Sequence, residues 1–168
     1  TRAGLEVGVA ATKTFVSQVA CMYLLGLWLA EIRGTLSDER NQELVAGLKR
    51  LPSLIGQTIR ETNEGVLAIA ERERHRRFFL YLGRHIGLPI CLEGALKLKE
   101  ISYIPADAYA AGEMKHGPIA LLDESTPVIC VATESPVLSK ILSNVEEVRA
   151  RGADVVAVAT SGFDEVSE

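Results

Sequence analysis

The sequence has 168 residues, of which 48% are hydrophobic and 24% are charged, and this balance excludes a disordered tail or a fibrous protein. The formal net charge of -4 argues against a nucleic-acid-binding protein, because such proteins gather Lys and Arg to neutralise phosphates. The three cysteines stand singly in apolar stretches, which predicts reduced thiols rather than a metal site or a disulfide framework.

The first 70 residues predict three helices. Thr12 can cap the first helix, which continues to Gly34 and is apolar nearly all round. We therefore expect this helix to be buried on several sides, inside a dimer or between layers. A second helix begins at Ser37, and Pro52 ends it or starts a third helix that continues to about Ala70.

The start of the chain lacks a basic segment followed by an apolar run, which predicts no signal peptide and a cytoplasmic protein. The apolar segment 16–32 contains Ser17 and Gln18 near its beginning and ends in Glu31 and Arg33. We expect this segment to be too short for a membrane span, so the sequence predicts a buried helix and no membrane partner.

From residue 78 onward the pattern changes to alternating strands and helices. Apolar strands are predicted at 78–82, 127–132 and 155–159, with helices at 89–104 and 135–151 and an irregular stretch at 105–123. Strands that are apolar on both faces and alternate with helices are typical of an α/β fold, here an open, doubly wound parallel sheet with flanking helices. Because helices precede every strand, we expect a domain boundary near residues 71–77 and a chain cut at both ends.

The segment 92–103 contains a line of charged residues. On a helix, Glu93, Lys97 and Glu100 fall at i, i+4 and i+7, which places carboxylate, ammonium and carboxylate on one face. A carboxylate base beside a carbonyl could abstract a proton, and a neighbouring cation could keep the base ionised or stabilise an enolate. The alternative is an ordinary solvated stripe of ion pairs, which the spacing alone favours.

A histidine follows at position 116, between Lys115 and the pair Gly117-Pro118, in the predicted irregular stretch. Histidine exchanges protons near neutrality, which suits the opening of a sugar ring. Many loop histidines are merely exposed, and the sequence leaves that alternative open.

A glycine-containing loop, residues 4–13, leads into the first helix. Exposed backbone N–H groups at such a helix start could bind an anion or a ligand rich in hydroxyl groups. The pattern occurs in many α/β proteins, so by itself it indicates a turn as readily as a binding site.

Two long motifs carry a resemblance to a known family. The string LEGALKLKEISY from Leu92, followed by AYAAGEMKHGP from Ala108, resembles the sugar-isomerase (SIS) half of the glutamine:fructose-6-phosphate aminotransferases. The resemblance continues in EVGVAATKTF from Glu6 and in SNVEEVRARG from Ser143, so it covers nearly the whole chain. It implies a SIS-type doubly wound sheet, with residues 1–72 as the C-terminal helical part of a first SIS subdomain and residues 73–168 as the N-terminal part of a second.

The resemblance also implies roles for particular residues. Glu100 matches the family's general base, which moves a proton between the first two sugar carbons, and Lys97 matches the lysine beside it. His116 matches the histidine credited with ring opening, which in the family reaches the active site of the neighbouring subunit and so implies a homodimer. Val9 and Ala11 match a loop that touches the sugar, although many members have Ser where this chain has Ala11.

By the same resemblance the substrates are fructose 6-phosphate and glutamine, the product is glucosamine 6-phosphate, and a glutaminase domain is a partner in the same chain. No metal and no cofactor is implied. The family's phosphate-binding loop and imine-forming lysine should lie outside this sequence, which predicts that these residues alone are inactive. The alternatives are a non-catalytic SIS module that binds phosphosugars and, less favoured, another SIS enzyme such as a sugar-phosphate deaminase.

Overall fold

In a computed structural model, the chain divides into two units, Thr1–Arg72 and Glu73–Glu168. The structure describes residues 1–161, so residues 162–168 of the second predicted segment lie outside the described residues. Helices make up the first unit, and the second unit contains a parallel sheet with helices.

Two helices, not the predicted three, form the first unit. Helix α1 covers Lys13–Ile32 and α2 covers Asp38–Glu73. Ser37 caps α2 as predicted, because its hydroxyl oxygen accepts a 3.3 Å hydrogen bond from the backbone N–H of Arg40. The prediction that Pro52 interrupts the helix is wrong: proline disfavours a helix interior by about 3 kcal/mol, but α2 extends over 36 residues and continues through it.

Helix α1 has 20 residues, and none of them is buried. Met22 is 64% exposed and Trp28 is 57% exposed, so the predicted burial between layers is not found in the described part of the chain. The predicted shortness is wrong as well, because α1 is long and apolar enough to cross a membrane by length and composition. Core helices of soluble proteins pass the same test, and burial of α1 inside a dimer stays a prediction.

The second unit is built on a sheet of parallel strands. In the described residues the strands are β1 (Phe79–Gly83), β2 (Ala106–Ala110), β3 (Val128–Ala132) and β4 (Val155–Ala159), in the spatial order β2-β1-β3-β4. Strand β1 pairs with β2 on one side and with β3 on the other, so the chain order reverses beside β1. Ligands of open α/β sheets bind at the carboxyl ends of the strands beside such a reversal.

Strand β2 lies inside the stretch that was predicted to be irregular. Its sequence, Ala-Asp-Ala-Tyr-Ala, has no β-branched residue and one aromatic residue, so the usual signal of a strand is weak. It forms because every residue from Ala106 to Ala110 pairs in register with β1, a tertiary effect that local sequence does not report. A six-residue 3-10 helix, Ala111–His116, follows directly and is called the 3-10 segment below.

Helices cover both faces of the sheet. Helix α3 spans Gly87–Ser102 and α4 spans Leu138–Arg149. Leu80 and Leu82 of β1 pack in one cluster with the buried residues of α4, whereas Phe79 packs in another with Ala95 of α3. Alternate residues of the same strand therefore face opposite helices, and the predicted doubly wound parallel sheet is confirmed.

The start of α4 differs from its prediction. The helix was predicted over residues 135–151, but it begins at Leu138, and the residue at its N-cap position, Val137, makes no side-chain capping hydrogen bond. The helix ends at Arg149, two residues before its predicted end, and Gly152 follows with a φ of 82°, a conformation that glycine adopts without strain.

Candidate active site

Helix α3 carries the predicted line of charges on the face opposite to the one it packs on the sheet. Cys91 and Ala95 are 1% exposed, and Gly94 lies so close to the Tyr81 ring that a Cβ there would be 3.0 Å from it. Small residues on the sheet-facing side thus bring the helix down onto β1. The charged residues remain half-buried on the other face.

The three charged side chains form one cluster. The Lys97 ammonium lies 2.6 Å from Glu100 Oε2 and 3.3 Å from Glu93 Oε1, and the three side chains are 19%, 30% and 21% exposed, respectively. The pKa of Lys97 is raised, first by its close contact with the Glu100 carboxylate and then by its contacts with Glu93, and desolvation offsets part of the rise. Lys97 is therefore a fixed positive charge between two carboxylates.

The two oxygens of Glu100 have different surroundings. Oε2 is shielded from solvent, and within residues 1–161 it meets the Lys97 ammonium without a well-aligned hydrogen bond. Within the same residues, no protein group donates a hydrogen bond to Oε1, and the Glu100 side chain as a whole is 30% exposed. Lys97 therefore holds one oxygen and leaves the other for chemistry, which suits a general base whose proton acceptor must face the substrate.

His116 ends the 3-10 segment, not an irregular loop as predicted. Gly117 follows with a φ of 144°, which turns the chain sharply before Pro118. The imidazole side chain is 75% exposed, and its charged neighbour in the described chain is Glu113, with 4.0 Å between His116 Nε2 and Glu113 Oε2. No hydrogen bond or ion pair joins His116 to Glu100 within residues 1–161.

Val9 and Ala11 lie in the first unit, in the chain that precedes α1. Val9 is 90% exposed and Ala11 is half-buried. The predicted binding of an anion at the start of α1 meets a competitor in Glu6, whose carboxylate accepts a 3.1 Å hydrogen bond from the backbone N–H of Thr14. The pKa of Glu6 is lowered, chiefly by the Thr14 hydroxyl, so the chain supplies its own anion at this helix end.

Thr12 occupies the N-cap position of α1 as predicted, but its side chain does not cap the helix. Its hydroxyl donates a 3.4 Å hydrogen bond to Glu6 Oε1 instead. The helix is therefore capped by Glu6, six positions before Thr12, which the sequence pattern did not indicate.

Within residues 1–161, no group of three or more His, Cys, Asp or Glu side chains is arranged to hold a metal ion. Cys91 and Cys130 are buried free thiols. Burial raises the pKa of Cys91 to about 11 and that of Cys130 to about 12, so neither thiol is a ready nucleophile.

The chain is similar to a protein family, to curated proteins and to solved structures. The profile of the SIS domain family matches residues 72–168. The glutamine–fructose-6-phosphate aminotransferase (isomerizing) of Thermus thermophilus is 51% identical over 164 residues, which is 98% of this chain and 27% of that protein. The protein of the same name from Gloeobacter violaceus is 53% identical over 160 residues, which is 95% of this chain and 26% of that protein.

A solved structure agrees with this likeness. The C-terminal domain of glucosamine-fructose-6-phosphate aminotransferase from Francisella tularensis superposes with a TM-score of 0.94 at 38% identity, over 98% of this chain and 46% of that one. The chain thus spans about a quarter of the length of the curated relatives it matches, 27% for the Thermus protein. The predicted SIS-type fold and the predicted family resemblance are both confirmed.

Proposed function

Because this chain belongs to the SIS domain family, we propose that it is part of the sugar-isomerising half of an enzyme that converts fructose 6-phosphate and glutamine to glucosamine 6-phosphate and glutamate. The identity of about half of all residues with enzymes of that name supports the proposal. In this assignment residues 1–72 are the helical end of a first SIS subdomain and residues 73–168 begin a second.

The proposed chemical step is a proton transfer between two carbons. After nitrogen from glutamine has replaced the oxygen at C2, Glu100 accepts a proton from C1 and returns it to C2. The electron pair of the C1–H bond ends in the new C2–H bond. The C1 hydroxyl gives up its proton as C1 becomes the aldehyde carbon, and the C2 imine nitrogen gains a proton as it becomes the amine. No oxidant or reductant takes part, and one carboxylate suffices for both halves of the transfer.

Lys97 would act as the electrostatic partner in this step. Its ammonium lies 2.6 Å from the Glu100 carboxylate and also contacts Glu93. A cation so placed stabilises the negative charge that develops on the enolate-like intermediate, and it holds the base in one orientation. The position of this cation, fixed by two carboxylates, supports the assignment.

His116 would act in ring opening, with Val9 and Ala11 as contacts to the sugar. The high exposure of His116 is compatible with a side chain that reaches the active site of a neighbouring subunit, so we propose a homodimer. The partners proposed with it are fructose 6-phosphate, glucosamine 6-phosphate and a glutaminase domain in the same protein, and the cytoplasmic location stays a prediction.

The observation that carries this proposal is the arrangement of Glu100, with Oε2 shielded and held by Lys97 and Oε1 without a protein donor. A solvated surface stripe would expose both oxygens alike. The test is Glu100→Gln in the full-length enzyme, with Glu93→Gln as the matched control on the same helix face and the same lysine.

We expect Glu100→Gln to lower the rate of sugar isomerisation by ~10²–10⁴-fold, the usual contribution of a general base. Glu93→Gln should stay within about fivefold of the wild type, because a partly exposed ion pair contributes little. Glutamine hydrolysis measured in the same samples controls for folding. Full isomerisation by Glu100→Gln would contradict the role of Glu100. Absence of isomerisation in the wild type, with sugar-phosphate binding that is unchanged in Glu100→Gln, would instead support the non-catalytic binding module.

A further inference from the structure

A chain of polar contacts connects the end of β1 to the 3-10 segment through α4. Arg84, directly after β1, donates a 2.9 Å hydrogen bond from Nε to Asn144 Oδ1. Asn144 Nδ2 donates to Glu147 Oε2 at 3.3 Å. Glu147 Oε1 lies 2.8 Å from the Lys115 ammonium, and Lys115 directly precedes His116 in the sequence. These four side chains, Arg84, Asn144, Glu147 and Lys115, are called the α4 network.

Apolar packing against the core of the second unit anchors the first part of the 3-10 segment. Ala111 and Met114 are both 0% exposed and belong to the core beneath the sheet. Gly112 lies against the Arg84 guanidinium, since a Cβ at this glycine would be 3.0 Å from it. Ala111, Gly112 and Met114 are thus fixed by the core and by Arg84.

The last two residues of the segment have no such anchor. Lys115 is 63% exposed and His116 is 75% exposed, so apolar burial does not fix either side chain. Within the described residues, the strong polar contact of this turn is the ion pair between Lys115 and Glu147. The orientation of the turn that carries His116 therefore depends on where Glu147 is held.

Asn144 decides where Glu147 is held. It is 5% exposed, which is uncommon for an asparagine in a helix, and both ends of its amide are used within the network. A buried amide that lost these partners would be destabilised, so the network orders its members strongly. The lowered pKa of Glu147, due first to Lys115 and then to Asn144 and Arg84, agrees with a carboxylate kept ionised in place.

We propose that Asn144 and Glu147, together with Arg84, are positioning residues that orient the Lys115–His116 turn for proton transfer during opening of the sugar ring. The inference rests on the proposed role of His116. It gives a role to the motif SNVEEVRARG, which contains Asn144 and Glu147. The proposed catalytic residues do not include any residue of this motif.

The test uses the full-length enzyme and two substrates. Fructose 6-phosphate must open its ring before reaction, whereas 5-deoxyfructose 6-phosphate lacks the hydroxyl that closes the ring and is already open. The variants are Asn144→Ala and Glu147→Gln. The matched control is Glu146→Gln, whose side chain is 71% exposed and which pairs with Arg149 at 3.3 Å instead of with the network.

With fructose 6-phosphate we expect kcat to fall ~10-fold in Asn144→Ala and ~3-fold to 5-fold in Glu147→Gln, as for the loss of a buried and a partly exposed polar contact, respectively. KM should change less than about twofold, because the network does not touch the substrate. With 5-deoxyfructose 6-phosphate both variants should match the wild type within about twofold, and Glu146→Gln should match it on both substrates.

Equal losses on the two substrates would overturn the proposal, because they would show a general structural effect. A second measurement decides the question if the wild type does not turn over the open-chain substrate. In that case Lys115→Met, Glu147→Gln and the double variant are compared with fructose 6-phosphate. The double variant should lose no more than Lys115→Met alone, and additive losses would overturn the proposal.

The outcomes separate this inference from the proposed function. If Glu100→Gln retains isomerisation, the proposed function fails regardless of the network. If Glu100→Gln is inactive while Asn144→Ala and Glu147→Gln match the wild type on fructose 6-phosphate, only the positioning role fails.

Discussion

Substitution of Gly83 by alanine should disturb the junction between β1 and α3 more than any ordinary change of a strand residue. A Cβ at Gly83 would lie 2.5 Å from the carbonyl carbon and oxygen of Gly87 and 2.7 Å from the backbone nitrogen of Leu88. Ordinary contacts begin at 3.4 Å, so the backbone of α3 must move by about 0.9 Å. Both partners are main chain, and neither can rotate away.

The size of the effect follows from this displacement. Overpacking of this kind destabilises a core by ~1–3 kcal/mol, and the absence of a flexible partner places Gly83→Ala near the upper value. Helix α3 moves as a rigid body with Lys97 and Glu100 on it. A displacement of ~1 Å at a reacting group can lower a rate ~10²-fold, so the proposed isomerisation by the full-length protein should fall along with stability.

Hydrogen exchange followed by mass spectrometry on peptides from β1 and α3 measures the change directly. A loss of ~3 kcal/mol corresponds to exchange that is about 100-fold faster. Gly65→Ala is the matched control, because Gly65 lies within α2 with nothing within 4 Å of an added Cβ. This control should stabilise its helix by ~0.5–1 kcal/mol, the opposite sign. Exchange in Gly83→Ala within twofold of the wild type would refute the close approach of the two backbones.

Two further predictions concern titratable groups. The folded-state pKa of Glu6 lies below its ordinary value of 4.5, so the stabilisation it gives α1 is present above that pH and is lost as the pH falls through the lower folded value. Amide exchange at Thr14, corrected for its intrinsic rate, should therefore accelerate on acidification in the wild type and lose this pH dependence in Glu6→Gln. Cys91 and Cys130 are buried and have raised pKa values, so they should resist alkylation at pH 8 while the half-buried Cys21 is modified first. Mass spectrometry of labelled peptides measures the order of modification. Labelling of Cys91 or Cys130 before Cys21 would contradict the burial of these thiols.

The strands with a distinctive residue composition could be predicted from the sequence. Strands β1, β3 and β4 are short apolar runs rich in aromatic or β-branched residues, and all three were found within a residue or two of their predicted bounds. Strand β2 was missed, because three alanines and one aspartate outweigh the single strand-favouring residue, Tyr109, and the pairing of β2 with β1 is a tertiary effect. Pro52 led to a predicted helix break that the structure does not have, because the long helix on both sides outweighs the local cost of the proline.

In the candidate site, too, contacts within one helix could be predicted from the sequence, whereas contacts between distant elements could not. Helical spacing was enough to predict that Lys97 contacts Glu93 and Glu100, because i, i+3 and i, i+4 neighbours meet on any helix. The motif around Asn144 was visible, but its contact with Arg84 joins residues 60 positions apart, and no periodicity reports such a contact. Residues that act through a network between elements therefore need the folded structure to be recognised.

Spacing also fails to separate the two carboxylates that flank Lys97, although their physical positions differ. Glu100 lies in the last turn of α3, which ends at Ser102, where the helix dipole disfavours a negative charge by ~0.3–1 kcal/mol. Glu93 lies in the middle of the helix, away from this effect. The ammonium of Lys97 is nearer to the disfavoured carboxylate, at 2.6 Å rather than 3.3 Å, and so offsets the dipole where the offset is needed. A carboxylate placed against its own helix dipole needs a neighbouring cation to balance it, and such a local conflict is what we expect of a side chain with the proposed catalytic role.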